Sequence, residues 1–182
     1  MGKTYVIPLV AAGNRGKTQT LNLLAGMFAA KIGMTDFKEY SVSKLDDNKL
    51  TIDKDNKYAF MVQSPEKKAI VIITTQGDFD FHIREAKEKF VDTYREKYPD
   101  TDLFWFLACR TSRGSWNQVV EYDVNLSDEK KRYWMYKGNL WTTDSDDSFK
   151  KSLSDLHNEW NYQDAVRLME LFDLLFRGEE PK

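Results

Sequence analysis

Apolar positions recur along this chain with two periods, and the switches between them mark out the elements. Tyr5, Val6, Ile7, Leu9 and Val10 make a β-type run, and beyond a turn-prone segment Leu21, Leu24 and Phe28 fall on one helical face. Residues 34–57 are the most polar stretch, carrying Asp46, Asp47, Asn48, Asp53 and Asp55, with short alternating pieces at Tyr40 and Val42 and at Leu50 and Ile52. This segment reads as a peripheral insertion of small strands and turns; a substrate-contacting flap is the alternative. Residues 58–62 read as a strand, 64–67 as a turn, and 69–75 as a strand buried on both faces, because the run lacks polar alternation. A helix follows with Ile83, Ala86, Phe90 and Tyr94 inward, and Pro99 punctuates its end.

The second half continues the alternation. Residues 103–109 form a further apolar strand, 116–122 a short helix, and 132–136 another strand. Residues 144–147 are placed to cap a helix containing Leu153 and Leu156, and a last helix spans 163–176, with Gly178 beyond it. Strands alternating with amphipathic helices predict an α/β fold, a three-layer sandwich with a mostly parallel central sheet. The 58–75 hairpin supplies one antiparallel strand. One domain over residues 1–182, with the insertion at about 34–57, accommodates all of it.

Composition narrows the partners. A net charge of −2 provides no basic field for nucleic acid and no attraction to an acidic membrane surface. The apolar runs are strand-sized, well short of a bilayer span. The basic, apolar opening ends in a loop, so no signal peptide is expected. A single cysteine, Cys109, leaves no internal disulfide and suits a reducing, cytoplasmic setting. It ends an apolar strand and reads as a packing residue, although Arg110 beside it keeps a thiolate open.

The candidate chemistry lies where strands end. Between the first strand and first helix sit Ala11-Ala12-Gly13-Asn14-Arg15-Gly16-Lys17-Thr18. Amides of such a loop and of the first helical turn converge where the helix dipole favours negative charge, and Gly13 and Gly16 let the backbone approach an anion. The bland alternative is an ordinary strand-to-helix turn with a solvated Lys. Two further loops fall at the same carboxyl edge of the sheet, Gln76-Gly77-Asp78 and Arg110 to Gly114, and ligands of open α/β sheets bind there. Arg110 and Arg113 could hold phosphate or neutralise charge developing in phosphoryl transfer, or could simply be solvated. Asp78 and Asp80 are equally well placed to cap the next helix. Asp53 and Asp55 resemble the start of a calcium loop, but Lys57 occupies the next ligand position and no Gly follows. His82 and His157 lack the neighbours of a zinc site. Aromatics at 104–106 and 133–136 could stack a base, with core packing the competing role.

The segment from Ala11 to Thr18 resembles the Walker A motif of P-loop NTPases, with Ala11 in place of the first Gly, and it has the strand before and helix after that the motif needs. The chain from about residue 4 to 114 is similar to small bacterial and phage proteins of that superfamily, in which central strands end near Gly-Asp and near an Arg-Thr-x-x-Gly-like turn. The resemblance implies ATP with Mg²⁺ as cofactors. Gly13, Asn14, Arg15, Gly16, Lys17, Thr18 and Gln19 would hold the phosphates, and Thr18 and Asp78 the metal. Lys17, Gln76, Arg110 and Arg113 would be the catalytic group, with Gln76 orienting a water or Gly77 touching the γ-phosphate. A guanine-reading motif is missing, which leaves ATP as the default nucleotide. The implied function is a slow NTP hydrolase or nucleotide-dependent regulatory module, with a protein partner open. The alternative is a kinase whose acceptor is held by the 34–57 insertion. A degenerate fold that binds a partner and no nucleotide is opposed by the intact Gly16-Lys17-Thr18.

Overall fold

The computed structural model describes residues 2–12, 16–32, 55–111, 114–126, 133–137 and 147–181. Five strands make one sheet: β1 (Thr4–Val10), β2 (Lys57–Gln63), β3 (Lys68–Thr74), β4 (Asp102–Cys109) and β5 (Met135–Tyr136). Their spatial order is β2-β3-β4-β1-β5. β4 runs parallel to both β3 and β1, β5 runs parallel to β1, and β2 alone is antiparallel, paired to β3. The expected α/β sandwich with a largely parallel sheet is present, and the 64–67 turn accounts for its one reversed strand.

Strand alternation splits the core into two layers, one on each face of the sheet. Tyr5, Ile7 and Leu9 of β1, with Phe104 and Phe106 of β4, face α1 (Lys17–Ile32) and α5 (Asp147–Arg177). There Phe28 of α1 lies edge-on to Phe172 of α5, with ring centroids 4.9 Å apart, and stacks on Phe60 of β2 at 5.6 Å. Val6, Val10, Ile70, Ile72, Trp105 and Leu107 face the opposite way, onto α2 (Asp80–Ala86), α4 (Gly114–Leu126) and the segment between them.

Two elements depart from the expected pattern. The helix after β3 is not one uniform helix. Between α2 and α3 (Thr93–Lys97) lies a π-helical stretch, Lys87–Asp92, spanned by an i,i+5 ion pair of 2.7 Å between those two residues. The wider turn carries Val91 rather than Phe90 into full burial. The two helices expected after residue 144 are a single 31-residue helix, α5. No Pro or Gly interrupts 147–177, so nothing stops the helix before Gly178, whose φ of +79° ends it with the Glu179 N–H on the Leu174 carbonyl. The expected helix at 116–122 extends to Gly114–Leu126, and of the strand expected at 132–136 only Met135–Tyr136 pairs, while residue 132 lies outside the described set. Among the described residues, no helix is long and apolar enough to cross a membrane.

Phe28 is completely buried between the sheet and α5. Phe28→Ala is expected to lower unfolding free energy by about 3–5 kcal/mol in urea titrations. A loss below about 1 kcal/mol would mean that α1 and α5 do not share this core.

Candidate functional site

The carboxyl ends of β1, β3 and β4 meet at one edge, as their sequence positions suggested. They open on a cleft of about 1130 Å³ whose other wall is α5. Gly16, Lys17, Thr18 and Gln19 enter it from the head of α1, and Thr75 to Phe79 from the end of β3.

Lys17 is the most constrained of these side chains. It is only 6% exposed, and its ammonium folds back to donate to the carbonyl oxygens of Ala12 (2.9 Å) and Ala11 (3.3 Å). Asp78 Oδ1 lies 3.7 Å away and also accepts a 2.9 Å bond from Arg110 Nε. Burial holds the Lys17 pKa below its ordinary value, and the nearby Asp78 offsets this only in part. The Arg110 hydrogen bond, more than the Lys17 charge, holds the Asp78 carboxyl below the usual carboxylate range. Two cations therefore share one carboxylate in this corner.

Asp78 does not cap α2. The N-cap is Phe79, which makes no side-chain capping bond, and Asp80 instead pairs with Arg84 at 3.2 Å. Gly77 is required for a different reason from conformational freedom: a Cβ there would run into the Ala108 carbonyl, so only glycine lets the loop after β3 press against the end of β4. Gly16 adopts φ +74° and packs against Asn161 of α5, leaving no room for a side chain. Cys109 is buried beside Ser115, and burial pushes its thiol up to about 11, so it remains a packing residue at neutral pH. Phe104, Trp105 and Phe106 are wholly buried as well, which removes them as base-stacking surfaces.

Several residues of the cleft had no assigned role in the sequence. Asp55, just before β2, accepts the Thr18 hydroxyl at 3.1 Å. Lys137, just after β5, is 5% exposed and donates to Asp164 of α5 (2.7 Å) and to the Thr20 hydroxyl of α1 (3.1 Å). Asn161 accepts from Thr20 (3.3 Å) and donates to Gln19 Oε1 (2.6 Å). His82 and His157 line the same cleft, and His82 Nδ1 is buried without a hydrogen-bond partner among the described residues. Of the expected site, Gly16, Lys17, Thr18, Gln19, Gln76 and Asp78 come together here, with Arg110 held against Asp78. Gly13, Asn14, Arg15, Arg113 and the insertion up to residue 54 lie outside the described residues.

No family model, curated protein or solved structure matches the chain. Among the described residues, no group of three or more His, Cys, Asp or Glu side chains gathers as a metal site. That finding does not bear on Mg²⁺, which is commonly held by one or two carboxylates plus substrate phosphates.

Two consequences follow for stability. Because the folded state releases the Lys17 proton at a lower pH than the unfolded chain, the unfolded chain binds more protons between that folded value and 10.5. Stability from this group therefore rises with pH across that window. Denaturation midpoints of Lys17→Met should lack this rise relative to the native protein as the pH climbs towards 10.5; parallel pH profiles would contradict the described burial. Asp164→Ala leaves the part-buried Lys137 ammonium without its carboxylate and should cost about 1–3 kcal/mol in the same assay. A loss under 1 kcal/mol would mean that the ammonium reaches water.

Proposed function

We propose that the cleft at the head of α1 binds the polyphosphate tail of a nucleoside triphosphate, ATP by default, together with Mg²⁺. On this reading the chain is a P-loop protein that works as a slow NTP hydrolase or a nucleotide-dependent regulatory module. What supports it is the Lys17 ammonium, held nearly out of water beside a helix N-terminus and against two carbonyl oxygens. Burying a lone ammonium costs several kcal/mol, and carbonyls offset that incompletely. A phosphate entering the corner would replace those carbonyls with full negative charge beside the Lys17 ammonium. The Thr18 hydroxyl and the first-turn amides of α1 would add donors to the same anion. Gln76 lines the cleft and can orient a water, but as a neutral amide it cannot take the proton, which fits slow hydrolysis.

One observation keeps a kinase in view. Phe79 and Phe81, both more than half exposed, stack with ring centroids 5.5 Å apart at the start of α2, and the Arg110 guanidinium lies 5.8 Å over Phe79. A planar acceptor could rest there beside the phosphates. Acceptor-dependent ADP release across a panel of nucleosides and nucleotides would divide the two readings.

Thermal melting tests the shared premise. Mg-ATP at 100 times its Kd should add ~2.7 kcal/mol, and each kcal/mol raises Tm by roughly 2–4 °C for a chain of this size. Lys17→Ala should lose most of that shift. A native protein that does not respond, or a variant that responds equally, would remove the proposal.

A further inference from the structure

The acid that serves the Mg²⁺ site need not be the one at the end of β3. We propose that Asp55 is the carboxylate of this site, acting with the Thr18 hydroxyl and the nucleotide phosphates, and that Asp78 belongs to the cation cluster instead. The inference rests on the nucleotide reading above and deepens it.

The surroundings of the two carboxylates differ in kind. Asp78 Oδ1 takes the Arg110 Nε–H at 2.9 Å and faces the Lys17 ammonium at 3.7 Å. A carboxylate already balanced by two cations is a poor ligand for a third. Among the described residues, the partners of Asp55 Oδ1 are hydroxyls. Thr18 Oγ1 donates to it at 3.1 Å, and Thr75 Oγ1 lies 3.4 Å from it while sharing its proton with the Asn56 carbonyl at 3.2 Å. Among the described residues no cation pairs with Asp55, and its side chain is exposed to the cleft.

Thr18 makes the arrangement chemically specific. A hydroxyl has one proton and two lone pairs, so a proton given to Asp55 leaves lone pairs free for a cation and makes the oxygen a better ligand. Two features keep Asp55 in place. The β2–β3 hairpin sets Lys57 opposite Thr74, so residues just before β2 lie beside the end of β3. The Asn56 N–H bond to Thr75 Oγ1 (2.7 Å) and the Thr75 N–H bond to the Asn56 carbonyl (3.0 Å) then fasten that junction. One carboxylate, one hydroxyl and phosphate oxygens, with water completing the octahedron, match how Mg²⁺ is commonly bound.

The test is calorimetric titration of ATP into the full chain with Mg²⁺ and with EDTA, read as the ratio of the two Kd values. The native protein should bind ATP in both conditions and more tightly with Mg²⁺. Asp55→Asn should keep the EDTA affinity and lose about 10-fold or more of the Mg²⁺ gain, in the range seen when partners of metal ligands are removed. Asp78→Asn should shift both Kd values together and keep their ratio. Asp55→Ser serves as the second variant if circular dichroism shows that Asp55→Asn is not folded. A Mg²⁺ gain retained in Asp55→Asn, or lost in Asp78→Asn alone, overturns this assignment while leaving nucleotide binding intact. A native protein that binds ATP in neither condition overturns the nucleotide reading and this inference with it.

Discussion

An ammonium group held nearly out of water is the constraint on which the rest of this site depends. Lys17 sits at the first position of α1, only 6% exposed, and its charge has to be compensated locally. The two carbonyls of Ala11 and Ala12 do part of this, and they can do so because β1 ends at Val10 and stops using its own carbonyls for the sheet. Asp78 adds a further part, and it is within reach because Gly77 allows the loop after β3 to touch the backbone of β4. Arg110 leaves β4 at the level where it meets the same carboxylate. The parallel register of β3, β4 and β1 thus brings three loops to one point, and the charge of Lys17 gives them a reason to converge.

The far wall of the cleft is built by α5, and it is tied to the same helix. Asn161 packs against Gly16 and bonds Thr20 and Gln19, while the part-buried Lys137–Asp164 pair links the end of β5 to α5 and to Thr20. Buried ion pairs contribute little net stability, but removing one partner is costly, so such a pair fixes geometry more than it strengthens the fold. Here the geometry it fixes is the spacing between α1 and α5.

Much of this was legible in the sequence because it rests on short-range periodicity. The unbroken apolar run at 69–75 marked β3 as central, the 64–67 turn marked β2 as its antiparallel neighbour, and Leu21, Leu24 and Phe28 marked the buried face of α1. What was not legible rests on long-range pairing. Asp55 looked like part of a polar insertion, yet the hairpin register that places it beside Thr75 was available from the turn and the two strands that flank it. Lys137, Asn161 and Asp164 gave no such signal: a lone lysine after a two-residue strand and two polar residues on a long helix look solvated until the tertiary fold buries them. Asp78 looked like a helix cap or a metal ligand, and only the position of Arg110 shows which charges it answers. The π-helical turn at 87–92 was hidden for a related reason, since its i,i+5 spacing competes with an acceptable i,i+4 pattern at Phe90.

On the proposed reading, polyphosphate rather than base or sugar is the group that the site recognises. Calorimetric titration of the native chain with adenosine, AMP, ADP and inorganic tripolyphosphate, all with Mg²⁺, separates these contributions most directly. Affinity should climb with the number of phosphates, tripolyphosphate should bind without any base, and adenosine should show no heat of binding. Adenosine or AMP binding as tightly as ADP, or tripolyphosphate that does not bind at all, would contradict the account at its centre.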